Sequence, residues 1–265
     1  MIGFIGVGNM GGTLARAAIR AVGAENVLVS SRTLEKAQRF AADTGCTAVT
    51  NAEAAARAQV LFLGVKPQVM RSMLAEIAPV LRVRSDRFVL VSMAAGLSLQ
   101  QIADFSGGAY PVLRIMPNTP AAVGEGMIPY CANALTSPED AAELRRILQP
   151  AGRLDPLPEH LIDAAGALSG CGPAFVYVFL EALADAAVAC GMPRDKAIQY
   201  AAQTALGSAK LVLQTGTHPA ALKDAVCSPA GSTIRGVHAL EAGGFRAAAE
   251  NAVLAAYERS MELGK

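Results

Sequence analysis

The stretch Met1-Ile2-Gly3-Phe4-Ile5-Gly6-Val7-Gly8-Asn9-Met10-Gly11-Gly12 decides how the rest of the chain is read. A short apolar run leads straight into G-x-G-x-x-G at Gly6, Gly8 and Gly11, and an alanine-rich, proline-free segment from Thr13 to Ala24 follows. Strand, glycine turn and helix in that order give the motif its meaning. Gly6 permits a tight turn, Gly8 lets a pyrophosphate approach the backbone, and Gly11 lets helix and strand pack closely. The free N–H groups and the positive dipole end of the helix favour phosphate. The expectation is a dinucleotide whose pyrophosphate meets the turn of Gly6, Gly8 and Gly11 and the start of the helix.

Working outward, Asn26 to Ser30 reads as a second strand that ends in Ser30-Ser31-Arg32-Thr33. A carboxylate about 20 residues beyond the glycines would suit the ribose 2′-OH of NAD, but none occurs here before Glu35. Small hydroxyls and a guanidinium suit a 2′-phosphate instead. Ser31 and Arg32 therefore favour NADP over NAD, unless Thr33 is only a helix cap beside a solvated arginine. The alternation continues through a helix at 34–44, a short helix capped by Asn51, and the buried-strand pattern Val60 to Val65, which runs into Lys66-Pro67-Gln68. Ligands of open α/β sheets sit outside the carboxyl ends of strands, which brings Val65 to Gln68 beside the cofactor. A helix from Pro67 to Leu81 and a strand from Arg87 to Ser92 follow, the strand ending at Met93-Ala94-Ala95-Gly96, where small residues leave room for a ring. Strands at 111–116 and 127–132, the irregular Pro117-Asn118-Thr119-Pro120, a helix at 139–149 and the terminal Arg153-Leu154-Asp155-Pro156 complete this half.

From about His160 the strand signal vanishes. The segment Ala174 to Cys190 is apolar on almost every face, with Glu181 and Asp185 on one narrow stripe. A helix apolar all round must be buried all round. A helical domain of this size offers little room for that, so a second subunit is expected to cover it, the other reading being the centre of a monomeric bundle. Later comes Ser228-Pro229-Ala230-Gly231-Ser232-Thr233, a small-residue loop before a helix. Backbone N–H groups at Gly231, Ser232 and Thr233, with the hydroxyls of Ser228, Ser232 and Thr233, suit a small anion such as a carboxylate. An ordinary serine or threonine cap would look the same.

Composition bounds the partners. The 265 residues are 52% hydrophobic and 17% charged, with a net charge of +1, so nothing in the charge balance points to nucleic acid or an anionic membrane surface. The apolar helix is interrupted by carboxylates, which argues against a transmembrane span. The five cysteines are scattered without C-x-x-C, and three lone histidines share no ligand spacing. Reduced thiols, no metal and, with no leader pattern ahead of the first strand, a cytoplasmic location are expected.

Taken together, G-F-I-G-V-G-N-M-G (3–11), V-K-P-Q (65–68), M-P-N-T-P (116–120), S-G-C-G-P-A-F (169–175) and S-P-A-G-S-T (228–233) resemble the pyrroline-5-carboxylate reductases over essentially the whole chain. The first motif is shared with β-hydroxyacid dehydrogenases; the last two, in order, are specific. The resemblance implies an α/β Rossmann-type N-terminal domain, 1–153, and an all-α dimerisation and substrate-binding domain, 154–265. It implies reduction of Δ1-pyrroline-5-carboxylate to L-proline by NADPH or NADH, in a homodimer or a larger assembly of dimers. Carried over by position, it implies a pyrophosphate held by Gly6, Val7, Gly8, Asn9, Met10 and Gly11, adenosine 2′ contacts at Ser31 and Arg32, a ribose contact at Asn51, a nicotinamide flank formed by Gly64, Val65, Lys66 and Pro67 with Met93, Ala94 and Ala95, and a substrate carboxylate held by Ser228, Gly231, Ser232 and Thr233. Thr233 would also bond the ring nitrogen, as the one catalytic side chain. Cys171 and Ser232 stand where the family often has serine and alanine. Alternatives are a related imine or β-hydroxyacid dehydrogenase and a non-catalytic NADP-sensing interaction protein.

Overall fold

A computed structural model describes residues 1–263, with side chains through Glu262. Its first unit is an eight-stranded sheet in the order β3-β2-β1-β4-β5-β6-β7-β8. The strands are β1 (Ile2–Ile5), β2 (Val27–Ser30), β3 (Thr47–Ala48), β4 (Val60–Leu63), β5 (Val89–Ser92), β6 (Val112–Ile115), β7 (Gly126–Ala132) and β8 (Gly152–Pro156). All neighbours are parallel except β6 and β7. The interleaved helices are α1 (Asn9–Val22), α2 (Leu34–Thr44), α3 (Asn51–Arg57), α4 (Pro67–Arg82), α5 (Leu99–Ser106), α6 (Pro138–Leu148) and α7 (Glu159–Ala165).

Every residue of β1, β2, β4, β5 and β6 is buried, as continuous apolar runs demand when helices cover both faces. Alternate side chains feed two cores. Phe4, Val29, Phe62 and Val91 meet α1 and α6 on one face. Ile5, Leu28, Leu61 and Leu90 meet α3, α4 and α5 on the other. The rings of Phe4 and Phe62 stack at 4.4 Å. From β1 the chain goes first to β2 on one side and later to β4 on the other. Such a switch point opens a crevice at the carboxyl ends of the strands.

Several local expectations are corrected. Thr50, not Asn51, caps α3: its hydroxyl accepts from the Glu53 N–H while Glu53 accepts from the Thr50 N–H, a capping box. Helix α5 was not foreseen, although Ser98 and Gln101 form a second such box. Residues 153–156, read as the end of a half, are part of β8, which pairs with β7 from Gly126↔Gly152 to Tyr130↔Pro156. Residues 119–123 form a 3₁₀ turn rather than wholly irregular chain.

The second compact unit is Gly172–Ala255, the first comprising Met1–Cys171 and the residues from Ala256 on. It is all helix: α8 (Gly172–Ala189), α9 (Arg194–Thr215), α10 (Pro219–Ala225), α11 (Ser232–Ala242) and the first part of α12 (Phe245–Leu263). A π-helical turn at Gly166–Gly170 joins α7 to α8, so Glu159–Ala189 is one helical run, long and apolar enough to cross a bilayer by length and composition. Only Ala184 of α8 is buried within the chain.

Candidate active site

At the switch point the glycines do three different things. Gly6 has φ +101°, and a Cβ there would lie 2.6 Å from the Gly64 carbonyl oxygen. A Cβ on Gly11 would lie 2.0 Å from the Gly6 oxygen, and one on Gly64 would lie 2.5 Å from it. These three backbones are packed too closely for any side chain. A Cβ on Gly8 would meet nothing within 4 Å. Gly8 is also the cap of α1, with no side chain on the free N–H groups and no acidic residue in the first turn. That is an open anion site by both dipole and donors. Val7 is buried and Met10 packs on the core, which leaves their backbones to face a ligand.

Beside this turn lies a cavity of 440 Å³. It brings Gly6, Ser31, Arg32, Asn51 and Val65 together from four separate loops, with Glu76 of α4 on its wall. Arg32 is exposed. The buried Ser30 hydroxyl donates to Asn51 Oδ1 at 2.8 Å, and Asn51 Nδ2 donates to both Glu76 carboxylate oxygens at 3.2 Å. Sequence reasoning missed Ser30 and Glu76, because one reads as strand and the other as a solvated helix face. Gly64 is locked by its N–H donating to Ile5 O at 2.8 Å. Lys66 and Pro67 open α4 with no side-chain cap.

The Met93–Gly96 turn leaves β5 with the Ala94 N–H donating to Ser92 Oγ at 3.3 Å, and Met93 packs on the core. Ala95 and Gly96 line a second cavity, of 250 Å³, with Met116, Asp163, Gly170 and Cys171. Here two of the quoted motifs meet: Asn118 Nδ2 donates to Ser169 O at 2.9 Å, and its Oδ1 accepts from Met127 N–H at 2.9 Å. Arg114, 2% exposed on β6, pairs with Asp163 and Glu159 of α7. Glu159 in turn accepts from the Leu99 N–H at 2.6 Å, which ties the end of the 93–98 loop to α7. Cys131 faces Arg114 across the β6–β7 register. Burial pushes its thiol up to about 11, with the Glu159 and Asp163 charges adding to the rise.

The Ser228–Thr233 loop belongs to the helical unit. Ala230 has φ +58°, the one positive φ outside glycine among the described residues. Such a conformation is strained for alanine and is typical of functional turns. Contrary to expectation, the Gly231 N–H does not face the anion position: it is turned inward, donating to Ser228 O at 3.0 Å. A Cβ at Gly231 would lie 2.4 Å from Ser228 Oγ and 3.1 Å from Ser228 O, so any side chain there would turn the Ser228 hydroxyl away. Gly231 caps α11 without a side-chain hydrogen bond, and the first turn carries no acid. Ser232 and Thr233, both exposed, are its first two residues. The geometry is a second uncapped helix N-terminus framed by hydroxyls. No group of three or more His, Cys, Asp or Glu side chains that could hold a metal is gathered among the described residues.

Residues 159–263 match the family model of pyrroline-5-carboxylate reductase dimerisation, and residues 1–96 match that of NADP oxidoreductase, coenzyme F420-dependent. The chain is 42% identical to the pyrroline-5-carboxylate reductase of Escherichia coli strain K12, over 100% of its own length and 98% of that protein. It is 43% identical to pyrroline-5-carboxylate reductase 3 of Rattus norvegicus, covering 100% and 96%. Among solved structures, the pyrroline carboxylate reductase of Plasmodium falciparum with NADP bound superposes with a TM-score of 0.88 at 32% identity, covering 100% of this chain and 98% of that one. A 3-hydroxyisobutyrate dehydrogenase of Mycobacterium tuberculosis, at 18% identity and a TM-score of 0.52, shares the fold alone. With relatives this similar over their full length, the chain belongs to the pyrroline-5-carboxylate reductase family.

Proposed function

We propose that this protein reduces Δ1-pyrroline-5-carboxylate to L-proline with NADPH, the last step of proline biosynthesis. The observation that carries the reading is the pair of uncapped, acid-free helix N-termini at Gly8 and Gly231, one suited to a pyrophosphate and the other to a carboxylate. Open space at Gly8 and the cavity beside Ser31, Arg32 and Asn51 fit a phosphorylated dinucleotide. Reduced nicotinamide, when bound, supplies the hydride. The backbone from Gly6 to Gly11 would hold the diphosphate, Arg32 and Ser31 the 2′-phosphate, and Asn51 the ribose. The 64–67 and 93–95 turns bound the nicotinamide end.

A protonated cyclic imine is already an electrophile, so the substrate side needs positioning more than acid–base power. The Ser232 and Thr233 N–H groups, with the Ser228 hydroxyl, grip the carboxylate. The Thr233 hydroxyl orients the ring nitrogen. NADPH oxidation dependent on pyrroline-5-carboxylate tests the reading. Absence of turnover would favour a related reductase or a non-catalytic NADP-binding protein. A lysine acid/base on the long helix, expected of a β-hydroxyacid dehydrogenase, is missing from α8. Thr233→Ala lowers kcat at least ~10-fold, the scale of a lost orienting or proton-relaying contact; unchanged steady-state constants would remove Thr233 from the site. Arg32→Ala weakens NADPH at least ~10-fold, the scale of a lost charge-assisted contact, and spares NADH; equal loss of both would exclude the 2′-phosphate role.

The working unit is a homodimer or an assembly of dimers. The exposed apolar residues of α8 and α9 support it, as does the family's dimerisation segment. The Glu159–Ala189 run carries Glu159, Asp163, Glu181 and Asp185, which suits a subunit interface better than a bilayer. Five free cysteines and the small net charge fit a cytoplasmic enzyme whose partners are its own copy and small molecules.

A further inference from the structure

Helix α4 turns Val69, Met73 and Glu76 towards the 440 Å³ cavity, since residues three and four apart share a helix face. Leu34 and Val49 line it too, together with the polar Ser31, Arg32, Thr50, Asn51, Ser72 and Glu76, so the cavity joins an apolar wall to a set of hydrogen-bonding groups. Two of those polar groups are Asn51 and Glu76, and they are not independent. An ionised carboxylate only accepts, so Glu76 fixes the Asn51 amide with Nδ2 towards itself, at 3.2 Å from both oxygens. The Asn51 oxygen then faces the Ser30 hydroxyl at 2.8 Å. The amide supplies at most two hydrogens, whereas a carboxylate has about four acceptor positions. Acceptor capacity is left over on the wall of a cavity that also offers the apolar side chains of Leu34, Val49, Val69 and Met73.

We propose that Glu76 is a specificity-determining residue that reads the base of the dinucleotide, accepting from the exocyclic amine of adenine while holding Asn51 for the ribose. The inference rests on the NADP reading above. Replacing adenine by hypoxanthine turns that amine donor into a carbonyl acceptor, which would face the carboxylate acceptor to acceptor.

The test is calorimetric binding of NADP⁺ and of nicotinamide hypoxanthine dinucleotide phosphate to the intact protein, its Glu76→Gln variant and its Glu76→Ala variant. The wild type is expected to bind NADP⁺ at least ~10-fold tighter than the hypoxanthine analogue, the scale of one lost hydrogen bond to a charged group. In Glu76→Gln, whose amide can donate or accept, the ratio falls below about threefold; in Glu76→Ala, which does neither, it falls likewise. Equal affinities in the wild type, or a ratio unmoved by both substitutions, overturn the proposal while leaving the NADP site standing. Tighter NADP⁺ binding in Glu76→Gln with an unmoved base ratio also overturns it, by putting the carboxylate beside the 2′-phosphate instead. Failure of the wild type to bind NADP⁺ at all overturns both. Glu76 is exposed, so both variants are expected to melt with the wild type.

Discussion

The sheet unit finishes its core within one chain, and the helical unit does not. Five strands of the first are buried at every residue. In α8, whose residues are apolar apart from Glu181 and Asp185, Ala184 alone is buried, and Val178 is 67% exposed. Leu213 of α9 is 73% exposed. Large exposed apolar surface marks an interaction site. Hydrophobic patterning thus reports that a surface is buried, but not by which copy of the chain.

The largest effect is expected from placing a charge on the exposed face of α8. Val178→Glu puts a carboxylate where a second copy is expected to pack, and burying an unpaired charge costs several kcal/mol. The expected result is a single-chain mass by light scattering at concentrations where the parent is assembled, with proline formation lost. A variant that assembles like the parent would show that Val178 lies outside the subunit interface. Phe62→Ala, in the sheet, should instead cost ~3–5 kcal/mol at every protein concentration, because no partner contributes to that core.

A second contrast lies inside the glycine turn. Gly11→Ala forces a Cβ against the Gly6 carbonyl oxygen, 2.0 Å away, so both the melting temperature and NADP⁺ affinity should fall. Gly8→Ala meets no atom of the protein. It should melt within a few degrees of the parent and yet bind NADP⁺ at least ~10-fold more weakly, since its methyl group takes the space a pyrophosphate needs. If Gly8→Ala binds normally, the open space there is not a phosphate site.

The same contrast explains what could be read in advance. The Rossmann half announced itself because local signals and buried runs agree: strand, glycine turn and helix at 1–24, and repeated VLVS-like strands. What escaped were elements stabilised by tertiary contact. β8 is polar and borrows its order from β7. Helix α5 is short and rests on a capping box. The glycine turn stands out because close backbone approach demands glycine, Ser31-Arg32 because hydroxyls beside a guanidinium suit phosphate, and Ser228–Thr233 because small hydroxyl residues lead into a helix start; their binding roles are those proposed above. Glu76, Arg114 and Asn118 do not stand out, since each acquires its role only from a partner far along the chain: Asn51, Asp163 and Ser169, respectively.

The smallest effect concerns Cys131, a thiol in the finished core of the sheet. Its pKa is raised from 9.0 to about 11, first by burial and then by Glu159 and Asp163. The folded state therefore holds a proton that the unfolded chain releases above about pH 9. Stability from this site is complete below pH 9 and declines as pH climbs towards 11, because the unfolded state then binds fewer protons. Denaturant midpoints measured from pH 8 to 11 should fall more steeply for the parent than for Cys131→Ala, once that variant's own cavity cost is subtracted. At pH 8 a thiol reagent should label Cys131 only upon unfolding, whereas Cys190, exposed at the end of α8, should react in any state that leaves α8 uncovered. Native labelling of Cys131 at the rate of a free peptide thiol would mean that this edge of the sheet opens, and that the first unit is less complete on its own than its buried strands imply.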